Sequence, residues 1–292
     1  MSTRPRTTRT NRRADLALLA TATALIASLV LGGIVASARP GGDGSPLRRL
    51  IDDTSEAGAP YTVLQMNLCL SGLAGCYGGA DHPSVVEEAV TTIEALDPGA
   101  VTLNEACSGD AARLAARTGY QVRFVAVVYR GAPLPCVRPG GRGVFGNAVL
   151  TGQRIVSSRD QAFAAQSGVE ERRWVCATTA RRVSVCATHL STRGTAEAQA
   201  ANDAQCRELG RVLASYAARG ATVLGGDVNR QDSCAPAGMW TRTDAAATRA
   251  PGIQHVYGSP ALRAPVSRVV PATYTDHDFL LVDTRLAPAG RR

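Results

Sequence analysis

Four apolar runs of strand character in this chain each close on a polar side chain, and a fifth polar pair follows near the C-terminus. The five segments are Val63-Leu64-Gln65-Met66-Asn67, Val101-Thr102-Leu103-Asn104-Glu105, Val185-Cys186-Ala187-Thr188-His189, Val223-Leu224-Gly225-Gly226-Asp227-Val228-Asn229 and Thr275-Asp276-His277. A strand end is where a sheet meets solvent and where sites form. Polar groups delivered there again and again are expected to converge on one rim, around a single cation.

Between these segments the pattern alternates. The strand to Asn67 is followed by a helix near Ser84–Leu96, with Val86, Val90, Ile93 and Leu96 on one face, and then by the strand to Glu105. A short helix at Asp110–Arg117, a strand at Tyr120–Val128 and a strand through Asn147–Leu150 come next. Trp174–Thr178 and Arg182–Thr188 read as a β-hairpin, and a long helix at Ala196–Ala218 precedes the strand that ends at Asp227. Ile253–Tyr257 and Phe279–Asp283 are expected to be the last two strands. Hairpins mixed with βα units predict an α/β fold with mixed sheets and helices outside.

The first forty residues look like export machinery. Arg4, Arg6, Arg9, Arg12 and Arg13 precede an apolar stretch from Leu16 to Val35, which ends in Ala36-Ser37-Ala38. Cleavage after Ala38 would release a secreted protein; retention would leave residues 16–35 as an anchor to the membrane. Both place the rest outside the cell, secreted or held on the outer face of the cell membrane. Residues 39–60, rich in Gly, Pro and Ser, read as a tether, residues 61–285 as one catalytic domain, and residues 286–292 as a tail. Of the formal net charge of +8, the export segment contributes half, so the domain is only mildly basic.

All eight cysteines lie beyond the export segment, and an even count in an exported chain predicts disulfides. Close neighbours give Cys69–Cys76 across a loop and Cys176–Cys186 across the hairpin. Elimination leaves Cys107–Cys136 and Cys206–Cys234. The absence of CxxC and of paired Cys/His spacing argues against zinc-finger and thioredoxin chemistry.

Hydrolysis of a phosphate ester needs a cation on the phosphoryl oxygens, an activated water, and donors for the charge that develops. Glu105 and Asp276 are hard oxygen ligands suited to Mg²⁺. Asp227 and Asn229 flank Val228, so on an extended strand end they point the same way. His189 and His277 sit beside acids and suit proton transfer or phosphate binding, whereas His82 and His255 read as solvent or structural histidines. Taken singly each of these has an ordinary structural reading, a turn, a cap or a surface pair. The Gly-rich Arg138–Gly143 segment lacks the ending of a phosphate loop and reads as a flexible surface loop.

The ordered set resembles the endonuclease/exonuclease/phosphatase superfamily, the deoxyribonuclease-like metal-dependent phosphodiesterases, over roughly residues 61–285. The resemblance implies a four-layer sandwich of two packed mixed β-sheets flanked by helices. It implies that Asn67 lies beside the metal and reacting phosphate, that Glu105 and Asp276 hold the metal, and that His189 contacts phosphate. It further implies that Asp227 and Asn229 orient the attacking water, with Asn229 also touching phosphate, and that His277 acts as base or charge stabiliser supported by Asp276. Glu171-Arg172-Arg173 resembles a Glu-x-Arg segment of the family, which would bring Arg173 to phosphate. The implied cofactor is Mg²⁺, or Mn²⁺ or Ca²⁺.

Two positions depart from the family pattern. Many relatives carry an acid against the terminal histidine where this chain has Gln254, which predicts a weaker base at His277 unless Asp278 or another carboxylate compensates. Asn104 stands where Gln is more usual, with little expected consequence. The expected activity is that of an exported, monomeric, metal-dependent phosphodiester hydrolase acting on nucleic acid. A lipid phosphodiesterase or phosphatase of sphingomyelinase or phosphoinositide type, and a non-catalytic binding module, are the alternatives.

Overall fold

The computed structural model describes residues 58–73 and 82–287. The export segment, most of the tether, Cys76 and all but two residues of the tail lie outside the described residues. In chain order the elements are β1 (Ala59–Asn67), α1 (His82–Leu96), β2 (Ala100–Cys107), α2 (Ser108–Thr118), β3 (Gln121–Ala126), β4 (Val128–Tyr129), β5 (Ala132–Pro133), β6 (Phe145–Thr151) and β7 (Ile155–Ala162). Then follow β8 (Glu170–Glu171), β9 (Arg173–Thr179), β10 (Ser184–His189), α3 (Ala196–Ala217), β11 (Thr222–Asp227), β12 (Trp240–Thr243), β13 (Gln254–Gly258), β14 (Leu262–Val270) and β15 (Phe279–Leu286).

Two six-stranded sheets carry the architecture, in the orders β14-β15-β1-β2-β6-β3 and β12-β13-β11-β10-β9-β7, beside a small sheet β5-β4-β8. Each large sheet has one parallel pair, β1 with β2 and β10 with β11, while its other pairs are antiparallel. The parallel pairs need crossovers, and α1 and α3 supply them.

Three apolar layers match four layers of structure. Val85, Val86, Ala89, Val90 and Ile93 recur at helical spacing, and this face of α1 packs on Leu64, Met66, Leu103 and Leu281 of the first sheet. Burial of each large side chain there contributes about 1.5–3 kcal/mol. Between the sheets lie Tyr61, Val63, Val149, Val175, Val185, Val223, Val256, Leu280 and Val282, and outside the second sheet Leu209 and Leu213 of α3 pack on Trp174, Leu224 and Tyr257. The described chain is therefore helix, sheet, sheet, helix, as the family resemblance implies.

Three disulfides are present as expected. Cys176–Cys186 joins directly opposed positions of β9 and β10, Cys206–Cys234 ties α3 to the loop after β11, and Cys107–Cys136 ties the end of β2 to the segment before β6. Cys69 is disulfide-bonded as well; the Cys69–Cys76 expectation rests on Cys76, outside the described residues. No helix among the described residues is long and apolar enough to cross a membrane.

β7, β12 and β14 were not expected. β7 is an exposed edge strand of sequence IVSSRDQA with no apolar alternation, and β14 contains Pro265 and a register shift between Arg263 and Val266. Pro and bulges belong to edge strands, where they also block pairing with other chains. The Arg138–Gly143 segment is not a loose loop. Arg142 is buried and donates to Asp110 at 2.6 Å and to the Leu70 carbonyl at 2.7 Å, which pins the segment against α2.

Candidate active site

The two parallel strand pairs end side by side. In register Asn67 faces Asn104 on β1 and β2, and His189 faces Asp227 on β10 and β11. The sheets are stitched together there by a buried amide seam. Thr102 donates to Gln65 Oε1 at 2.6 Å, and Gln65 Nε2 donates to Asn104 Oδ1 at 2.8 Å. Asn104 Nδ2 donates in turn to Asn147 Oδ1 and to the Thr188 carbonyl, while its Oδ1 also receives the Asp227 amide at 2.7 Å. One buried side chain thus fixes the ends of β2, β10 and β11 relative to each other. Gly225 permits this approach, because a Cβ there would lie 2.0 Å from Thr102 Oγ1.

Glu105 sits in the register shift between β2 and β6 and has a positive φ of 53°, in the left-handed region that non-glycine residues rarely occupy. Such a conformation costs about 1–3 kcal/mol and is held here by the surrounding strands. The bulge turns the carboxylate to the rim. Asn67 Nδ2 bridges it to Asp227, with 3.1 Å to Glu105 Oε1 and 3.1 Å to Asp227 Oδ2. Burial pushes Glu105 up to about 7, against the Asn67 hydrogen bond, with the Asp227 charge adding to the rise. Asp227 is also raised, first by burial, against the opposing pull of His277, the Asn229 amide and Asn67.

Two histidines face this carboxylate pair. His189 Nδ1 lies 4.0 Å from Glu105 Oε1 and its Nε2 lies 3.8 Å from Asp227 Oδ2. Burial lowers its pKa well below 6.5, and Arg172 and His277 add to the effect, so the ring is neutral at pH 7. His277 Nε2 lies 3.7 Å from the same Asp227 oxygen and 3.8 Å from Asp276 Oδ1. The hydroxyl of Thr275 donates to the Asn67 carbonyl at 2.9 Å and holds this C-terminal loop to the end of β1. Five side chains drawn from five places in the chain therefore meet at one rim. Beside them a pocket of 550 Å³ is lined by Glu105, His189, Arg172, Glu170, Tyr129 and Phe145, among others.

Searches with the sequence find no matching family model and no curated relative. Solved structures do match. An endonuclease/exonuclease/phosphatase protein from Beutenbergia cavernae superposes with a TM-score of 0.58 at 23% identity, over 78% of this chain and 72% of its own. The human Nocturnin catalytic domain, solved with a bound sulfate anion, gives 0.58 at 17% identity, over 78% of this chain and 94% of its own. The chain carries the endonuclease/exonuclease/phosphatase fold. TDP2 from D. rerio, complexed with a single-strand DNA product, gives 0.54 at 11% identity, over 77% of this chain and 98% of its own.

On this fold, four expectations from the sequence change. Arg173 does not reach the rim: its guanidinium pairs with Glu171 and, at 3.1 Å, with Asp160. Arg172 is the arginine that lines the pocket, buried with its Nη1 3.2 Å from Glu170 Oε1. Neighbouring positions of an extended chain point to opposite sides, so the choice between them depended on the phase of β9. Asn229 is not an extended partner of Asp227. Its φ is 52°, its amide donates back to Asp227 Oδ1 at 3.0 Å, and its Nδ2 donates to the Leu190 carbonyl. The strand turns at Asp227, as an Asx-type turn does.

Gln254 does not orient His277. Its Nε2 donates to Asp244 Oδ2 at 3.1 Å and to the Asp278 carbonyl at 2.6 Å, and His277 Nδ1 has no hydrogen-bond partner among the described residues. Asp278 does not compensate either, since its carboxylate accepts from Thr248 and from the Ala272 amide. The buried carboxylate behind Gln254 is Asp244, raised by burial. It precedes no strand signal, and nothing in the sequence marks it. Asn104, given little weight in the sequence, is the hub of the seam. Asp276 stands half exposed at the mouth, against Thr275 and His277. His255 is structural: it is fully buried, bonded to Tyr257 and Gly252, and lowered to about 4 chiefly by burial.

Proposed function

We propose that this chain is an exported, divalent-metal-dependent phosphodiester hydrolase that acts as a monomer on nucleic acid. The observation that carries the reading is the meeting of Asn67, Glu105, His189, Asp227 and His277 at one rim, each within 4.0 Å of another. Extracellular placement is supported by the three disulfides. Nucleic acid is supported by the neighbour complexed with a single-strand DNA product, and phosphate-class chemistry by the one holding sulfate.

The donor set fits a Mg²⁺-type ion. Glu105 and Asp276 offer hard oxygen, whereas Asn67 turns its amide nitrogen to the carboxylates and its Oδ1 to the Cys69 amide and so positions the ligands; burial and the neighbouring Asp227 charge hold Glu105 partly protonated, a strain that a cation would relieve. Among the described residues no cluster of three or more His, Cys, Asp or Glu side chains surrounds a metal position, so water would fill much of the shell, as Mg²⁺ prefers. The ion would neutralise phosphoryl oxygens. Asn67 keeps the Glu105 and Asp227 carboxylates apart and aimed. Asp227 orients and deprotonates the attacking water, aided by His277 at 3.7 Å. Neutral His189 donates a hydrogen bond to a phosphoryl oxygen, and Arg172 supplies charge from the pocket wall.

The test is turnover of plasmid DNA, RNA, sphingomyelin and a chromogenic phosphodiester, with Mg²⁺ or with EDTA, for the wild type, His189→Ala and Asp227→Ala. DNA cleavage that requires metal and falls at least about 10²-fold in both variants is the expected result. Turnover of sphingomyelin alone would make the protein a lipid phosphodiesterase. Absence of metal-dependent turnover on all four would leave a binding module.

A further inference from the structure

We propose that the outer face of the second sheet carries a second anion site, which takes backbone phosphates of a nucleic-acid strand extending beyond the catalytic rim. The proposal rests on the nucleic-acid reading above. Register places the parts. Arg159 opposes Cys176 and Gln161 opposes Trp174 across β7 and β9, and directly opposed residues share a face. Trp174 and Cys176 belong to the apolar layer under α3, so Arg159 and Gln161 face α3 too. From the other side α3 and its C-terminal end contribute Glu208, Arg211, Val212, Ser215, Tyr216 and Arg219, spaced as a single helical stripe. Together these residues enclose a pocket of 360 Å³.

The charge in this pocket is unspent. Arg159, Arg211 and Arg219 are exposed, and none forms an ion pair among the described residues, whereas Arg117, Arg173, Arg193 and Arg230 all do. Arg159 lies over the Trp174 ring at 5.9 Å and Arg219 over the Tyr216 ring at 4.5 Å, arrangements that hold guanidinium planes without neutralising them. The one acid, Glu208, already accepts the Ala164 amide at 2.9 Å.

Trp174 is 3% exposed and lines the pocket, and among the described residues its Nε1 donor has no hydrogen-bond partner. A buried donor left unpaired costs about 1–3 kcal/mol. The floor is also close to the chemistry in the fold, because Trp174 pairs with Thr188, the residue before His189. Arginines and aromatic rings along a groove are the means by which proteins follow a strand without reading its sequence. None of the large exposed apolar side chains lines this pocket, as a membrane-docking face would require.

The experiment uses the full chain, a fluorescent single-stranded oligonucleotide of about 16 nucleotides, and fluorescence anisotropy in EDTA from about 50 to about 200 mM salt. The triple variant Arg159→Gln, Arg211→Gln, Arg219→Gln is expected to bind about tenfold or more weakly, and the slope of log Kd against log salt to fall by about 2. Its turnover of a small chromogenic phosphodiester should equal that of the wild type. The single variant Arg211→Glu, on an exposed helix position, should weaken binding in the same direction with unchanged melting temperature. Equal affinity and equal slope in wild type and both variants would overturn the proposal. So would loss of binding to phosphatidylglycerol vesicles with oligonucleotide binding intact, which would make the face a membrane contact. Because binding is read without metal or turnover, an inactive wild type would count against the hydrolase reading alone.

Discussion

Asn67 places one amide between two buried carboxylates, and that position has a measurable signature. Replacing it by Ala removes the hydrogen bond that opposes the rise at Glu105. Activity should drop by about 10²-fold at saturating Mg²⁺, the usual loss for one preorganised donor. Glu105 itself gives a pH test. Its folded pKa stands near 7 and its unfolded value near 4.5, so the folded state binds the extra proton between them. Stability of the metal-free protein should therefore fall as pH rises through that window, by an amount on the order of a few kcal/mol. Glu105→Gln should flatten this decline in denaturant titrations with EDTA, and should abolish the rise in melting temperature with Mg²⁺ that the proposed function predicts for the wild type. Gln254 supplies the third test. Gln254→Asp would set a second carboxylate against Asp244 where an amide now donates at 3.1 Å, costing about 1.5–3 kcal/mol. Adding Asp244→Asn should restore most of the loss, as a double-mutant cycle by urea melts would show. At this scale the sequence was legible where a strand delivered the residue, as at Glu105, His189 and Asp227. It was illegible where phase or a distant loop decided, as at Arg172 and Asp244.

The elements repeat that division. Strands with apolar runs and helices with an apolar stripe were legible, because burial on one or both faces writes its period into the chain. β7 was not, because six of its eight side chains are exposed and set no period. β14 was not, because Pro265 and a bulge break its pattern at a sheet edge. The cysteines gave the covalent frame with more certainty than the edges gave their strands, since close spacing favoured the hairpin pair. Loop length orders the cost of cutting that frame. Removing Cys206–Cys234, whose cysteines are 28 positions apart, should cost about 3–4 kcal/mol, and removing Cys176–Cys186, 10 positions apart, somewhat less. Urea melts of the paired Cys→Ser variants would establish the order. A larger loss at Cys176–Cys186 would mean that this link does more than shorten the unfolded chain.

Across the two sheets the decisive fit is sheet against sheet, tight at Gly225, where a methyl group would sit 2.0 Å from Thr102 Oγ1. Gly225→Ala should force the sheets apart at that end, destabilise by about 1–3 kcal/mol, and lower activity more than stability alone explains. Comparison of kcat with urea-derived stability would separate the two effects. β1 lies at the centre of the first sheet, and its antiparallel neighbour is β15, the last strand of the described chain. Residues 272–286, which carry the loop of Asp276 and His277 as well as that neighbour, are made after every other described element of the two large sheets. A ribosome-bound polypeptide missing them has an unpaired central edge and an open rim, so the assembled centre cannot arise until synthesis of the domain is finished.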